Sequence, residues 1–229
     1  MFADFYRDKT VFVTGHTGFK GSWLCHWLLS LGARVHGYAL DPQPHEILYN
    51  QLELATRLHA DTRADLADRS ALREAIRRAG PHVILHLAAQ PLVRLSYDIP
   101  IETFATNAMG TAHLLDAVRT LAQPCNVVCV TTDKCYENRE WLHGYRETDP
   151  MGGHDPYSAS KGAAELIVAS FRSSYFPPDG PIQVASARAG NVIGGGDWAA
   201  DRIVPDCIRA IRKGEAIPVR NKVATRPWQ

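Results

Sequence analysis

Short runs of aliphatic and β-branched residues alternate along this chain with longer stretches in which apolar positions recur every three or four residues. That alternation predicts a parallel sheet covered by helices. TVFVTG at 10–15 reads as the first strand. Behind it, Trp23, Leu24, Trp27, Leu28 and Leu31 fall at helical spacing and predict one apolar face. Further strands are expected at 33–40 (ARVHGYAL), at 57–60 (RLHA, shorter and more polar), at 82–89 (HVILHLAA), at the apolar opening of VVCVTTDKCYEN (127–138), and at 182–188 (IQVASAR). Helices are expected over 70–79, 100–120, and from Tyr157 to about Phe171. The fold class is therefore α/β, a doubly wound parallel sheet occupying residues 1–189. From 190 the alternation fails: a glycine-rich stretch, a helix of about three turns and AIPVRNKVATRPWQ follow. Residues 190–229 read as the start of a substrate-binding region, interrupted at Pro227-Trp228-Gln229.

Composition narrows the class. With 229 residues, 45% hydrophobic and 21% charged, the chain has the make-up of an ordinary globular protein. No apolar run approaches the roughly 20 residues that span a bilayer, and MFADFYRDK lacks the apolar centre of a signal peptide. The cytoplasm is the expected compartment. A net charge of +1 gives no case for nucleic acid. Five cysteines without a C-x-x-C pair suit reduced, mostly buried thiols, and ten histidines without H-E-x-x-H or regular His/Cys spacing give no metal site.

The first chemical motif is TGHTGFKGSWL, where Gly15, Gly18 and Gly21 stand between a strand and a helix. Glycines let the backbone turn tightly and approach a pyrophosphate, while the helix N-terminus offers free N–H groups and a positive dipole. In this setting the loop, with Phe19 inside it, reads as a Rossmann-type dinucleotide cradle. Asp41, twenty positions after Gly21, stands where a carboxylate accepts both adenosine ribose hydroxyls, and no arginine occupies 37–45. That favours NAD over NADP, although Asp41-Pro42 equally suits a simple turn. Asp65 and Leu66 follow the third strand, where they would pair with the adenine amino group and cover its face, or merely lead into a helix. Ala88 and Ala89 end the fourth strand with side chains small enough to leave room for a cofactor ribose.

The second motif is DPYSASKGAAE, which puts Tyr157 and Lys161 one helical turn apart. A phenol is a poor base at neutral pH unless nearby positive charge stabilises the phenolate; the same lysine can hold a nicotinamide ribose. The fifth strand then ends on Thr131, Thr132, Asp133 and Lys134, at the sheet edge where open α/β folds bind ligands.

Together these residues resemble the extended short-chain dehydrogenase/reductases that act on sugar nucleotides. GHTGFKGSWL, TTDKCYEN, DPYSASKGAAE, RAGNVIGGGDWAADRIVPD and ATRPWQ are similar, in this order, to segments of the CDP-glucose 4,6-dehydratase family. The Asp133-Lys134 pair is the most specific part, because related dTDP-glucose dehydratases usually carry Asp-Glu there. The resemblance implies NAD as cofactor and CDP-glucose or a related nucleotide sugar as substrate. Tyr157 would take the proton of the 4-hydroxyl, Thr132 would fix that oxygen, and Lys161 would keep Tyr157 acidic. Asp133 and Lys134 would serve as acid and base for water loss across C5–C6, roles that need a desolvated pocket. It further implies a diphosphate contact from Asn191, and a homodimer or larger assembly through helices 100–120 and 157–171. Arg226 is the best candidate to grip the diphosphate with its planar fork. Arg202, in a basic stretch, would steer an anion, and Gln90 and Arg94 lie near the expected sugar position. Trp198 and Trp228 cover the base or simply pack. An epimerase, or a dehydratase for another nucleotide, is the nearest alternative; a NAD-binding chain without turnover is a third reading.

Overall fold

The computed structural model describes residues 2, 4–44, 47–219 and 221–223. Six parallel strands form one sheet in the order β3-β2-β1-β4-β5-β6: β1 Thr10–Thr14, β2 Arg34–Ala39, β3 Ala60–Arg63, β4 Val83–His86, β5 Cys125–Thr132 and β6 Ile182–Ala189. The order reverses between β1 and β4, which opens a crevice at the carboxyl ends of those two strands. Around the sheet lie α1 Phe19–Ser30, the short α2 Leu48–Gln51 and α3 Leu54–Arg57, α4 Arg69–Ala79, α5 Val93–Asp98, α6 Pro100–Phe104, α7 Gly110–Val118, α8 Pro156–Tyr175 and α9 Ile203–Lys213. No helix among the described residues is long and apolar enough to cross a membrane.

All five residues of β1 are buried because helices cover both of its faces. Alternate side chains go to opposite layers. Phe12 joins Tyr38, Leu72, Ile76, Ile84, Leu114 and Leu115 in one core, while Val11 and Val13 join Cys25, Leu28, Val35 and Leu54 in the other. At about 25 cal/mol per Å² of apolar area, each such side chain contributes roughly 1.5–3 kcal/mol. Cys25, Cys125, Cys129 and Cys135 are buried and Cys207 is half-buried, all as free thiols.

Several elements depart from the sequence reading, each for a physical reason. In α1 the side turned to the sheet is carried by Gly21, Ser22, Cys25 and Leu28. Leu24 packs at its margin, whereas Trp23 and Trp27 emerge into solvent at 43% and 48% exposure. The indole of Trp23 spans instead to the Gly195 carbonyl, 2.8 Å away. The third strand is Ala60–Arg63 rather than 57–60, because Leu54–Arg57 is helical. Its sequence, ADTR, hides the strand: it lies at the sheet edge and uses its side chains for polar contacts. The helix expected over 100–120 contains a π-turn at Ala105–Met109, which directs Asn107 toward Gln90 and Ser160. Helix α5 is absent from the sequence reading.

Candidate active site

A cleft of about 3550 Å³ runs along the carboxyl edge of the sheet, over the crevice between β1 and β4. Its floor is the glycine loop. Gly15 adopts φ +72°, and a Cβ there would lie 2.7 Å from the Ala88 nitrogen; at Gly21 a Cβ would lie 2.0 Å from the Gly15 carbonyl oxygen. Only glycine fits either position, and the result is a bare backbone surface. Gly18 caps α1 with no side-chain hydrogen bond, so no side chain competes for the N–H groups of the first turn. Gly15, Gly18, Phe19, Gly21, Asp41, Asp65, Leu66, Ala88 and Ala89 all line this cleft.

The Asp41 end of the cleft holds a residue that sequence reasoning missed. Asp41 is 88% exposed just past β2, but Arg63 reaches to 4.0 Å from its carboxylate. No arginine is near in sequence; β3 pairs with β2 and delivers one. The guanidinium is held by Asp61 at 2.9 Å and by the Leu40 carbonyl at 3.3 Å, and it lies 4.6 Å over the Tyr49 ring. Asp61 also holds His16, from within the glycine loop, at 2.8 Å. Asp65 spends one carboxylate oxygen on the Ala67 N–H at 2.9 Å, and its carbonyl accepts from Tyr38. It is thus a lead into α4, whose own cap is Asp68.

Helix α8 begins where Asp155 accepts from the Ser158 N–H with Pro156 at the first helical position. This start places Tyr157 and Lys161 on the turns that face the end of β5. Tyr157, Lys161 and Thr132 are 8%, 6% and 7% exposed, and Asp133 and Lys134 are half-buried beside them. Burial pushes the Tyr157 phenol up to about 12, against an opposing hydrogen bond with Thr132. Burial, reinforced by Lys20, pulls the Lys161 ammonium down to about 8. Lys161 therefore does not by itself make Tyr157 acidic, and the phenolate needs further positive charge in the cleft. Lys20, solvent-exposed on the first turn of α1 at the cleft, is a cation that the glycine pattern concealed; partial desolvation by the cleft walls and then Arg202 lower its proton affinity. The Thr132 hydroxyl donates to Asp133 at 2.9 Å and accepts from the Lys134 N–H at 3.4 Å, which shapes the short 3₁₀ turn Asp133–Cys135.

Beneath the site, a buried polar chain joins the glycine-loop strand to α8. Thr14 Oγ1 accepts from the N–H groups of Leu87 and Ala88, both at 3.1 Å, and lies 2.7 Å from His86 Nδ1. His86 Nε2 lies 3.2 Å from Thr111 Oγ1, which donates onward to the Asn107 carbonyl. The only consistent assignment has His86 neutral, donating from Nε2 and accepting at Nδ1. Burial, and secondarily Lys161, drive its pKa down to about 3.

The substrate-side expectations divide. Asn191, Arg94 and Arg202 line the cleft. Arg202 is held by both carboxylate oxygens of Asp197 at 2.9 Å, and Arg94 by Asp201 at 3.1 Å. Gln90 also lines it, but its amide is committed to the Leu92 backbone and Thr103, so it staples the loop after β4. Trp198 lines the cleft with Arg212 over its ring at 5.8 Å. Arg226 and Trp228 lie outside the described residues.

Known proteins resemble this chain in sequence and in fold. A CDP-glucose 4,6-dehydratase of Salmonella typhimurium is 51% identical over 99% of this chain, which spans 64% of that relative's length. A human GDP-mannose 4,6 dehydratase is 33% identical over 71% of the chain and 46% of its own. Among solved structures, a dTDP-glucose 4,6-dehydratase from Streptomyces venezuelae, with NAD bound, superimposes with a TM-score of 0.81 at 24% identity, over 95% of this chain and 67% of its own. A second, the protein MoeE5 in complex with UDP-glucose and NAD, gives 0.73 at 27% identity, over 90% and 62%. The family model described as GDP-mannose 4,6 dehydratase matches residues 12–229. The chain belongs to the GDP-mannose 4,6 dehydratase family.

Proposed function

We propose that this protein dehydrates CDP-glucose to CDP-4-keto-6-deoxyglucose with NAD as a recycled cofactor. The observation that carries the reading is the meeting of Tyr157 with Thr132 and Asp133 at the end of β5, in a cleft floored by the glycine loop, with Lys161 buried one turn further along α8. The choice of cytidine diphosphate rests on the 51% identity to the Salmonella enzyme. NAD fits the residues present: a cradle only glycine can form, a helix N-terminus without a side-chain cap, and a nine-tenths buried lysine beside it.

The backbone of the glycine loop would hold the pyrophosphate, Asp41 the adenosine ribose and Lys161 the nicotinamide ribose. When bound, NAD supplies an acceptor for hydride from sugar C4 and returns that hydride to C6. Tyr157 takes the proton from the 4-hydroxyl as the C4–H bond breaks, and Thr132 orients that oxygen. The resulting ketone makes the C5 proton removable. Lys134 accepts it while Asp133 protonates the departing C6 oxygen, so that one water leaves; a proton returned to C5 completes the balance. An epimerase needs no such acid and base, which is why the Asp133–Lys134 turn favours the dehydratase. Exposed Ile101, Met109, Leu166 and Tyr175 on α6 to α8 support a homodimer through these helices.

Mass spectrometry of the protein with NAD and CDP-glucose, beside GDP-mannose, dTDP-glucose and UDP-glucose, tests the reading. Loss of one water from CDP-glucose, with deuterium at C5 in heavy water, is expected. An unchanged CDP-glucose beside a dehydrated alternative would overturn the nucleotide assignment; no dehydration of any would overturn the function.

A further inference from the structure

The Asp133–Lys134 turn has no sheet to hold it. Parallel pairing of β5 with β6 ends at Thr132 opposite Ala189, one residue before Asp133. Thr131, two residues before Asp133, and Tyr136, just past the turn, are nevertheless tied to one buried ion pair. On the near side, the Thr131 hydroxyl donates to Glu165 Oε1. On the far side, the Tyr136 hydroxyl accepts from Arg188 Nη1 at 2.8 Å, and the guanidinium lies 4.9 Å from the Tyr136 ring centroid. Glu165 and Arg188 close the bracket at 2.9 Å, with Ser186 donating to the same carboxylate at 2.9 Å. Glu165 stands one further turn along α8 from Lys161. It is 5% exposed, and although burial opposes its charge, the bonds from Arg188, Thr131 and Ser186 prevail and keep it ionised.

Tyr136 also leads out of the turn into the cleft wall. It stacks on Tyr145 at 5.0 Å, and Tyr145 packs on Trp141 at 5.4 Å. Arg188 reaches this segment a second time through the Glu147 carbonyl at 3.3 Å. The returning chain is pinned where the Gly152 N–H donates to the Cys135 carbonyl at 2.9 Å.

From this bracket we infer that Glu165 and Arg188 are positioning residues for the elimination half of the reaction. Both line the cleft wall, and they fix the acid–base turn through Thr131 before it and Tyr136 after it. The inference rests on the dehydratase reading above. When the bracket is cut, Thr132, which serves the C4 step, keeps the β5–β6 ladder, whereas Asp133 and Lys134 rely on the Thr132 hydroxyl and the turn's own backbone bonds. Misplacement of reacting groups by about 1 Å costs about a hundredfold in rate.

The test uses R188M, E165Q and the charge-preserving R188K in single turnovers with NAD and CDP-glucose. The rise of NADH absorbance reports C4 oxidation, and water loss with C5 deuteration reports elimination. In R188M, oxidation stays within about threefold of the parent while elimination falls about a hundredfold, so NADH accumulates. E165Q behaves alike, and R188K recovers part of the elimination rate. Backbone hydrogen exchange, read without substrate, accelerates over 133–151 in R188M. Equal loss of both steps, unchanged kinetics, or unchanged exchange in that segment overturns the inference. A parent protein that forms neither NADH nor product overturns the dehydratase reading itself, and the exchange measurement then still reports whether the ion pair holds the turn.

Discussion

Lys161 is a charged group kept where the fold would do better without it. It is nine-tenths buried, and no ion pair among the described residues compensates its charge. Its pKa falls from 10.5 to about 8, through burial first and Lys20 second. Each tenfold loss of proton affinity is about 1.4 kcal/mol, so the charged side chain costs the ligand-free protein about 3 kcal/mol. The sign follows from the direction of the shift. Below pH 8 the amine is protonated in both folded and unfolded chains and the cost is complete; between about 8 and 10.5 the folded form deprotonates first and the cost disappears. K161M, which keeps an unbranched apolar stem of similar length, is therefore expected to be more stable than the parent at pH 7 by about 3 kcal/mol. For a domain of this size that is about 6–12 °C in melting temperature. The advantage shrinks toward zero by pH 10.5, and turnover is lost. Urea unfolding of both proteins without NAD, at pH 7 and at pH 10, measures the difference. If K161M is no more stable than the parent at pH 7, or if its advantage does not shrink as the pH rises, the argument from uncompensated burial is wrong.

Other expectations follow from the same site. In G21A the new methyl meets the Gly15 carbonyl at 2.0 Å; the loop must open, and calorimetry should find NAD binding lost, with a lowered melting temperature. His86 is neutral in the fold with a pKa of about 3, whereas an unfolded histidine titrates near about 6.5. Acidification protonates the unfolded chain first, so stability falls between those values, by about 2 kcal/mol from pH 7 to pH 5; H86Q should flatten that slope in urea titrations. D133N should keep the C4 oxidation seen as NADH absorbance but lose elimination by about a hundredfold or more. Loss of both steps together would contradict the division of labour between Tyr157 and the turn.

Local signals along the chain carry one part of this structure. The alternation of strands and helices, the glycine loop between β1 and α1, the one-turn spacing of Tyr157 and Lys161, and the polar end of β5 are all properties of neighbours in the chain. Chain-local physics sets them: backbone freedom at glycine, helical periodicity, and capping by Asp155. Tertiary structure alone decided which distant residues meet. Pairing of β3 with β2 brings Arg63 to Asp41, although ADTR carries no apolar strand signal. The π-turn at Ala105–Met109 turns Asn107 toward the loop after β4, whose Gln90 amide is spent on Leu92 and Thr103. The tryptophans at helical spacing on α1 pointed to a core face, yet the sheet takes the side with Gly21 and Cys25 because small residues let helix and strand approach closely. No local signal in the chain marks Glu165 or Arg188; only the alignment of β5, β6 and α8 closes them around the Asp133–Lys134 turn. Periodicity records which way a side chain faces, and only the packed sheet determines what it faces.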